Sequence, residues 1–357
     1  MNVRRLSLLL LLLCAGAAGA RSVTGLSMSF DASMRPVATV SLEAGETGDD
    51  HALYLAFDTA DRGGDPADWA ACQRAGRVAA GATSASATVA PFVSEGGYTT
   101  VRAFLVENAL PYDTLVESIR QTGTQYLDAG VRAGPGSTVR ADFALDTNDP
   151  TQQRMFGERR YGTVEGRINC GLYIGGNGGW SATIVDSNHA NDSSYMYRVT
   201  GAAFAAGARM VATMDVPNGL VMVSNTVSGA FSTLDVTQNP ANPRTGTTLY
   251  PLILFAEWER PNNDWTVTHR VEGGNLFGFS MSENGTPLCD LRPCDVDGVG
   301  GVWDAVSGDV RLSETGTPFG VGGRPVADAP AAGETAVAVS RAIRLSPFPA
   351  GTVVVVR

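Results

Sequence analysis

Lysine is missing from this chain: every one of its 26 basic residues is arginine, in a length of 357. That removes Schiff-base chemistry and the phosphate-gripping lysine of a P-loop from consideration. A biased nucleotide composition is sufficient cause. Histidine is scarce, with three copies. His51, His189 and His269 have no Gly-x-Ser-x-Gly elbow to serve, and none stands in a His-Glu-x-x-His motif. No Cys-x-x-Cys pair is present to begin a structural zinc site. Positive charge is also short. The 36 acidic side chains outnumber the 26 basic ones to leave a net charge of −10, the wrong sign for a phosphate-neutralising face, so no nucleic-acid partner is expected. What the chain has is apolar material: 44% hydrophobic residues against 17% charged ones, enough for a packed core, in a length that suggests two domains.

Arg4 and Arg5 precede an apolar run at 6–13 and a small-residue stretch at 14–20, the layout of a secretory signal peptide over residues 1–20. Its small-x-small site is Ala18, Gly19 and Ala20, so the mature chain is expected to start at Arg21. The apolar run is far shorter than the ~20 residues that span a bilayer. No later run lacks charge over about 18 residues, so no transmembrane segment is expected in the mature chain. Leu13 is too bulky, directly before Cys14, for a lipidation motif. The expected address is outside the inner membrane, whether extracellular, cell-surface or periplasmic. Cleavage leaves Cys72, Cys170, Cys289 and Cys294, for which three pairings exist. Export permits disulfides, yet four cysteines in this length are no disulfide scaffold. Cys289 and Cys294 are five apart on a predicted strand and start on opposite faces, so joining them needs a bend at Pro293.

From 21 to 119 the pattern is short alternating runs at 26–30, 36–42, 52–57, 85–89 and 100–105, separated by Gly, Asp and Pro clusters. Short strands with regular turn signals over about 100 residues predict a β-sandwich of the immunoglobulin or fibronectin III type. The connection after 57 carries Asp58, Asp61, Asp65 and Asp68. These lack the Asp-x-Asp-x-Asp-Gly spacing of a calcium loop and read as a solvated turn. From 120 the same two-residue period recurs in longer strands. Val139, Ala141, Phe143 and Leu145 share one face, as do Met210, Ala212, Met214 and Val216, and Pro217-Asn218-Gly219 supplies a hairpin turn. No stretch shows a helical stripe, so an all-β jelly-roll sandwich is expected over 120–323.

Tyr126-Leu127-Asp128-Ala129-Gly130 and Arg154-Met155-Phe156-Gly157 open this region. Leu252-Ile253-Leu254-Phe255-Ala256, Phe277-Gly278-Phe279-Ser280-Met281, Asp290-Leu291-Arg292-Pro293-Cys294 and Gly300-Gly301-Val302-Trp303-Asp304 close it in order. The region, about 125–323, resembles the concanavalin A-like, laminin-G-type jelly rolls of bacterial secreted and surface proteins. The resemblance implies binding of a glycan or a cell-surface protein, with glycoside hydrolases among the relatives. Fold alone does not choose between them.

Retaining glucanases of this fold carry Glu-x-Asp-x-x-Glu, which is absent here. The nearest substitute is Glu257-Trp258-Glu259, whose carboxylates share a face about 7 Å apart, a separation that suits an inverting pair. Sugar binding asks instead for aromatic faces among Asn, Asp and Gly groups. Two segments offer this: Asn177, Trp180, Asn188, Asn191, Asp192, Tyr195 and Tyr197 in one, and Trp258, Asn262, Asn263, Asp264 and Trp265 in the other. The expected function is therefore non-catalytic glycan recognition, with Glu257/Glu259 hydrolysis or a structural cell-envelope role as alternatives. No cofactor is implied. Calcium is compatible with the fold, but Asp146, Asn148 and Asp149 match no metal motif. Residues 324–357 are too few for a core of their own and are expected to pair with a preceding domain or another chain.

Overall fold

Five strands of the first half follow the predicted runs, β1 (Val23–Phe30), β2 (Pro36–Leu42), β3 (His51–Asp58), β5 (Ser84–Thr88) and β6 (Thr100–Glu107), and a sixth, β4 (Ala71–Val78), joins them. They come from a computed structural model that describes residues 22–33, 35–43, 51–79, 81–107, 110–147, 154–160, 168–174, 180–186, 196–199, 205–235, 246–260, 266–268, 271–330, 334 and 336–345. The expected signal peptide lies outside the described residues. The fold is all-β, and helix among the described residues is limited to single turns at Phe92–Glu95 and Pro66–Asp68. Among the described residues no helix is long and apolar enough to cross a membrane. Two compact units are present, Met1–Ala109 with Pro325–Arg357, and Leu110–Arg324.

In the first unit β1, β2 and β5 make one antiparallel sheet, and β4, β3 and β6 make the framework of another. β3 alternates between two cores, as period two requires. Leu53, Leu55 and Phe57 pack with Ala38, Val40 and Leu105, while Ala52, Tyr54 and Ala56 pack with Trp69, Cys72 and Phe104. β4 is absent from the predicted runs because Gln73 and Arg74 interrupt it, yet both side chains are buried. Gln73 is held by two 2.8 Å bonds, its Nε2 donating to the Thr88 carbonyl and its Oε1 accepting from the Ala90 N–H. The Arg74 guanidinium lies 5.8 Å from the centre of the Tyr54 ring. Three of the aspartates that end and follow β3 are engaged in local structure. Asp58 pairs with Arg62 at 2.9 Å, Asp61 with Arg102 at 2.8 Å, and Asp65 caps the 3-10 turn by accepting from the Ala67 N–H.

The second unit holds β7 (Thr114–Gln121), β8 (Leu127–Asp128), β9 (Ser137–Leu145), β10 (Arg154–Arg160), β11 (Ile168–Ile174), β12 (Trp180–Asp186) and β13 (Met196–Val199). It continues with β14 (Met210–Asp215), β15 (Leu220–Asn225), β16 (Phe231–Asp235), β17 (Ile253–Leu254), β18 (Glu257–Arg260) and β19 (Thr266–Thr268). β20 (Gly274–Glu283), β21 (Thr286–Val296), β22 (Val299–Asp304), β23 (Val310–Arg311) and β24 (Gly320–Pro325) close it. A ten-stranded sheet runs β16-β15-β14-β9-β20-β7-β21-β22-β23, with β24 on β7. The eight-stranded sheet runs β13-β12-β11-β10-β17-β8, with β18 on β10 and β19 on β18. The predicted faces meet in one core, where Val139, Ala141, Phe143, Leu145, Met210, Ala212 and Met214 join Phe156, Leu172 and Leu254. The hairpin forms as expected, with Asp215 opposite Leu220 and the Asp215 carboxylate accepting from the Asn218 N–H and side-chain amide.

One boundary differs from that expected of the sequence, and the C-terminal segment pairs with a preceding domain, one of its two expected partners. β7, expected in the first domain, belongs to the second unit, because Ile119 enters the large core and pairs with Leu276. The C-terminal segment returns to the first unit as β25 (Ala338–Val339) and β26 (Ile343–Arg344), both pairing with β6. The four cysteines described are buried thiols, not joined in disulfides. Pro293 makes no bend between Cys289 and Cys294: β21 is continuous, with Cys289 opposite Met281 and Cys294 opposite Gly301.

Candidate functional site

Within 175–197, expected as a loop, the described residues 180–186 and 196–197 are strand. Trp180 opens β12 in register with Ile174 on one side and Val199 on the other, and Tyr197 stands opposite Ala182. Asn177, Asn188, His189, Asn191, Asp192 and Tyr195 lie outside the described residues, as do Asn262, Asn263, Asp264, Trp265 and His269. The position of Trp180 and Tyr197 on neighbouring strands β12 and β13 places these two candidates in one sheet with Trp258 on β18.

Trp258 is the candidate aromatic whose surroundings are clearest. It sits in β18 opposite Glu158 and Val267, is partly buried, and packs its ring against Tyr250 with centroids 5.0 Å apart and planes 31° from parallel. Its indole N–H meets no acceptor among the described residues. A tryptophan usually finds such a partner when buried.

Alternation sends the preceding side chain to the opposite face of the strand. There Glu257, 2% exposed, forms a 2.8 Å ion pair with Arg154, itself 1% exposed. The Arg154 guanidinium stacks 3.8 Å from the centre of the Tyr173 ring. Arg154 pairs in register with Tyr173, and the adjacent Leu172 points into the large core, so this charged cluster lies on the face of the sheet away from that core. In the sequence Arg154 stands near Glu158 and Glu165, and nothing there links it to Glu257. A register shift between Arg154 and Phe156 breaks the alternation that would otherwise assign its face. Tyr173 and Tyr250 are not among the sequence candidates either, and no spacing signal marks either one.

Other residues of the sequence motifs, and Asp146, are engaged in the scaffold. Asp290 and Arg292 form a strand pair at 2.7 Å. Trp303 packs against Tyr112, ring centres 5.1 Å apart, with Arg292 5.8 Å from its centre. Asp146 pairs with Arg120. At the β21–β22 turn burial, together with Asp113 and Asp297, pushes the Asp295 carboxyl up. No group of three metal-ligating side chains is present among the described residues. No family model matches the chain, and no curated protein matches it.

Proposed function

We propose that the chain is an exported protein whose second unit, a concanavalin A-like jelly roll preceded by an immunoglobulin- or fibronectin III-like sandwich, binds glycan without hydrolysing it. The observation that carries the choice is the state of Glu257. An inverting pair needs both carboxyl groups open to the glycosidic bond and to a water between them. Glu257 is 2% exposed and held by Arg154. The aromatic supply supports binding: Trp258 is partly exposed and packs against Tyr250, rings of the kind that stack on a pyranose, and Trp180 and Tyr197 belong to the same sheet.

The test is a glycan array probed with the mature protein from Arg21, with and without calcium, beside Trp258→Ala and Trp180→Ala. Binding by the parent and its loss in either tryptophan variant that retains the parent's circular dichroism is the expected result. Silence of a folded parent across the array overturns the glycan reading. Release of reducing sugar by the parent, abolished in Glu257→Gln, overturns the non-catalytic one.

A further inference from the structure

β6 is bonded to β3 along all eight of its residues on one side. On its other side, among the described residues, it carries only the C-terminal segment, in two bridges of two residues, Ala338 and Val339 opposite Leu105 and Phe104, then Ile343 and Arg344 opposite Val101 and Thr100. Between the bridges four steps of the segment, 339 to 343, span three of β6, 104 to 101. This bulge resets the alternation. Ala342 is thereby directed to the core of Tyr54 and Phe104, and Ile343 to that of Leu55 and Phe57. Ser340 bridges the gap: its Oγ accepts from the Ala103 N–H at 2.9 Å, and its N–H donates to the Ala103 carbonyl at 2.8 Å. Val337 and Leu345 each add one backbone bond, to Leu105 and Thr99.

The segment thus fills an edge and parts of two cores of a unit from which it is separated by the whole of Leu110–Arg324. Its grip is short and broken, and the side chains it inserts are small apart from Ile343 and Leu345. An uncovered edge beside apolar clefts is a template for another extended strand. We propose that the β6 edge is a strand-acceptor site and that residues 336–345 are its exchangeable donor, so that the same segment from a second copy of this chain fills it by domain swapping. Such exchange needs no new contact, since each copy makes the bonds it would make alone.

The experiment uses the full chain with a specific protease site inserted at 331–333. The nicked protein is incubated with a fluorescent synthetic segment 334–357, and separately with the same segment carrying Ser340→Pro, which removes both the N–H and the hydroxyl that bond Ala103. Capture of the parent segment with release of the unlabelled one, and at least tenfold weaker capture of the proline version, is the expected result. The proposal is overturned if the nicked chain neither releases its segment nor takes up the labelled one. It is equally overturned if the segment departs while the β6 amides keep their full protection from hydrogen exchange. Because the readout involves no sugar, failure here is separate from failure of the glycan reading.

Discussion

The two units handle their central strands in opposite ways. In the second, β9 and β14 present one face to a single core and leave Arg140 and Thr213 on the other, so their sequences alternate. In the first, all eight residues of β3 are buried, because one face meets β1, β2 and β5 and the other meets Trp69, Cys72 and the C-terminal segment. The difference teaches that a short continuous apolar run inside an otherwise alternating domain marks a strand covered twice, and that the second cover comes from elsewhere in the chain. Polar burial differs too. The first unit buries Gln73 against the backbone of Thr88 and Ala90, whereas the second buries an arginine against a carboxylate from a strand more than a hundred residues later.

The comparison is broken most severely at that ion pair. Arg154→Met removes the cation paired with the buried Glu257 carboxylate and is expected to cost the second unit about 3–5 kcal/mol. Urea unfolding followed by residue-resolved hydrogen exchange checks it. The first unit's amides should be unaffected, and a matched Arg154→Met with Glu257→Leu should recover most of the loss. In the first unit, Phe57→Ala empties a position buried in the core shared with Leu55 and is expected to cost about 3–5 kcal/mol, read the same way with the units reversed.

Alkaline pH sharpens the contrast further. Burial pushes the Cys289 and Cys294 thiols of the second unit from an ordinary 9.0 up to about 12. In the first unit burial does the same to Cys72, and lifts the Tyr54 hydroxyl from 10.0 to about 12. A raised acid keeps its proton in the folded chain after the unfolded chain has lost it. Stability therefore falls as pH climbs from about 9 toward about 12, by on the order of a kcal/mol per pH unit for each such group. The loss should begin near pH 9 in both units and steepen above pH 10 only in the first. Tyr54→Phe should remove that steepening, and an unfolding series between pH 8 and pH 12 measures it. The smallest effect expected is that of Ser340→Ala, which leaves the Ala103 N–H without its acceptor and should weaken the first unit by about 1–3 kcal/mol in denaturant unfolding.

Much of the scaffold is legible in the chain itself. The alternating run at 36–42 matches β2 at its observed bounds, and the faces of β9 and β14 can be assigned residue by residue. The Asp215–Leu220 hairpin follows from its turn residues. β4 is illegible because Gln73 and Arg74 look like surface residues until Thr88, Ala90 and Tyr54 are brought to them. Of the candidate site, the tryptophans are visible as residues, but the strand pairing of Trp180 and the packing of Trp258 on Tyr250 are not. The engagement of Glu257 depends on Arg154, 103 positions earlier, and on a register shift that leaves no mark in composition or period.

Sequence by itself determined that this is an all-β chain with a two-residue period, because alternation is written between neighbours and each strand carries its own face assignment. Tertiary structure alone decided where the unit boundary falls, that the last strands complete the first unit, and that Glu257 is a partner for Arg154 rather than an open carboxylate. The physical reason is common to all three. Each is a pairing of distant backbone edges or opposite charges, and its free energy exists only once other segments have removed water from between the partners.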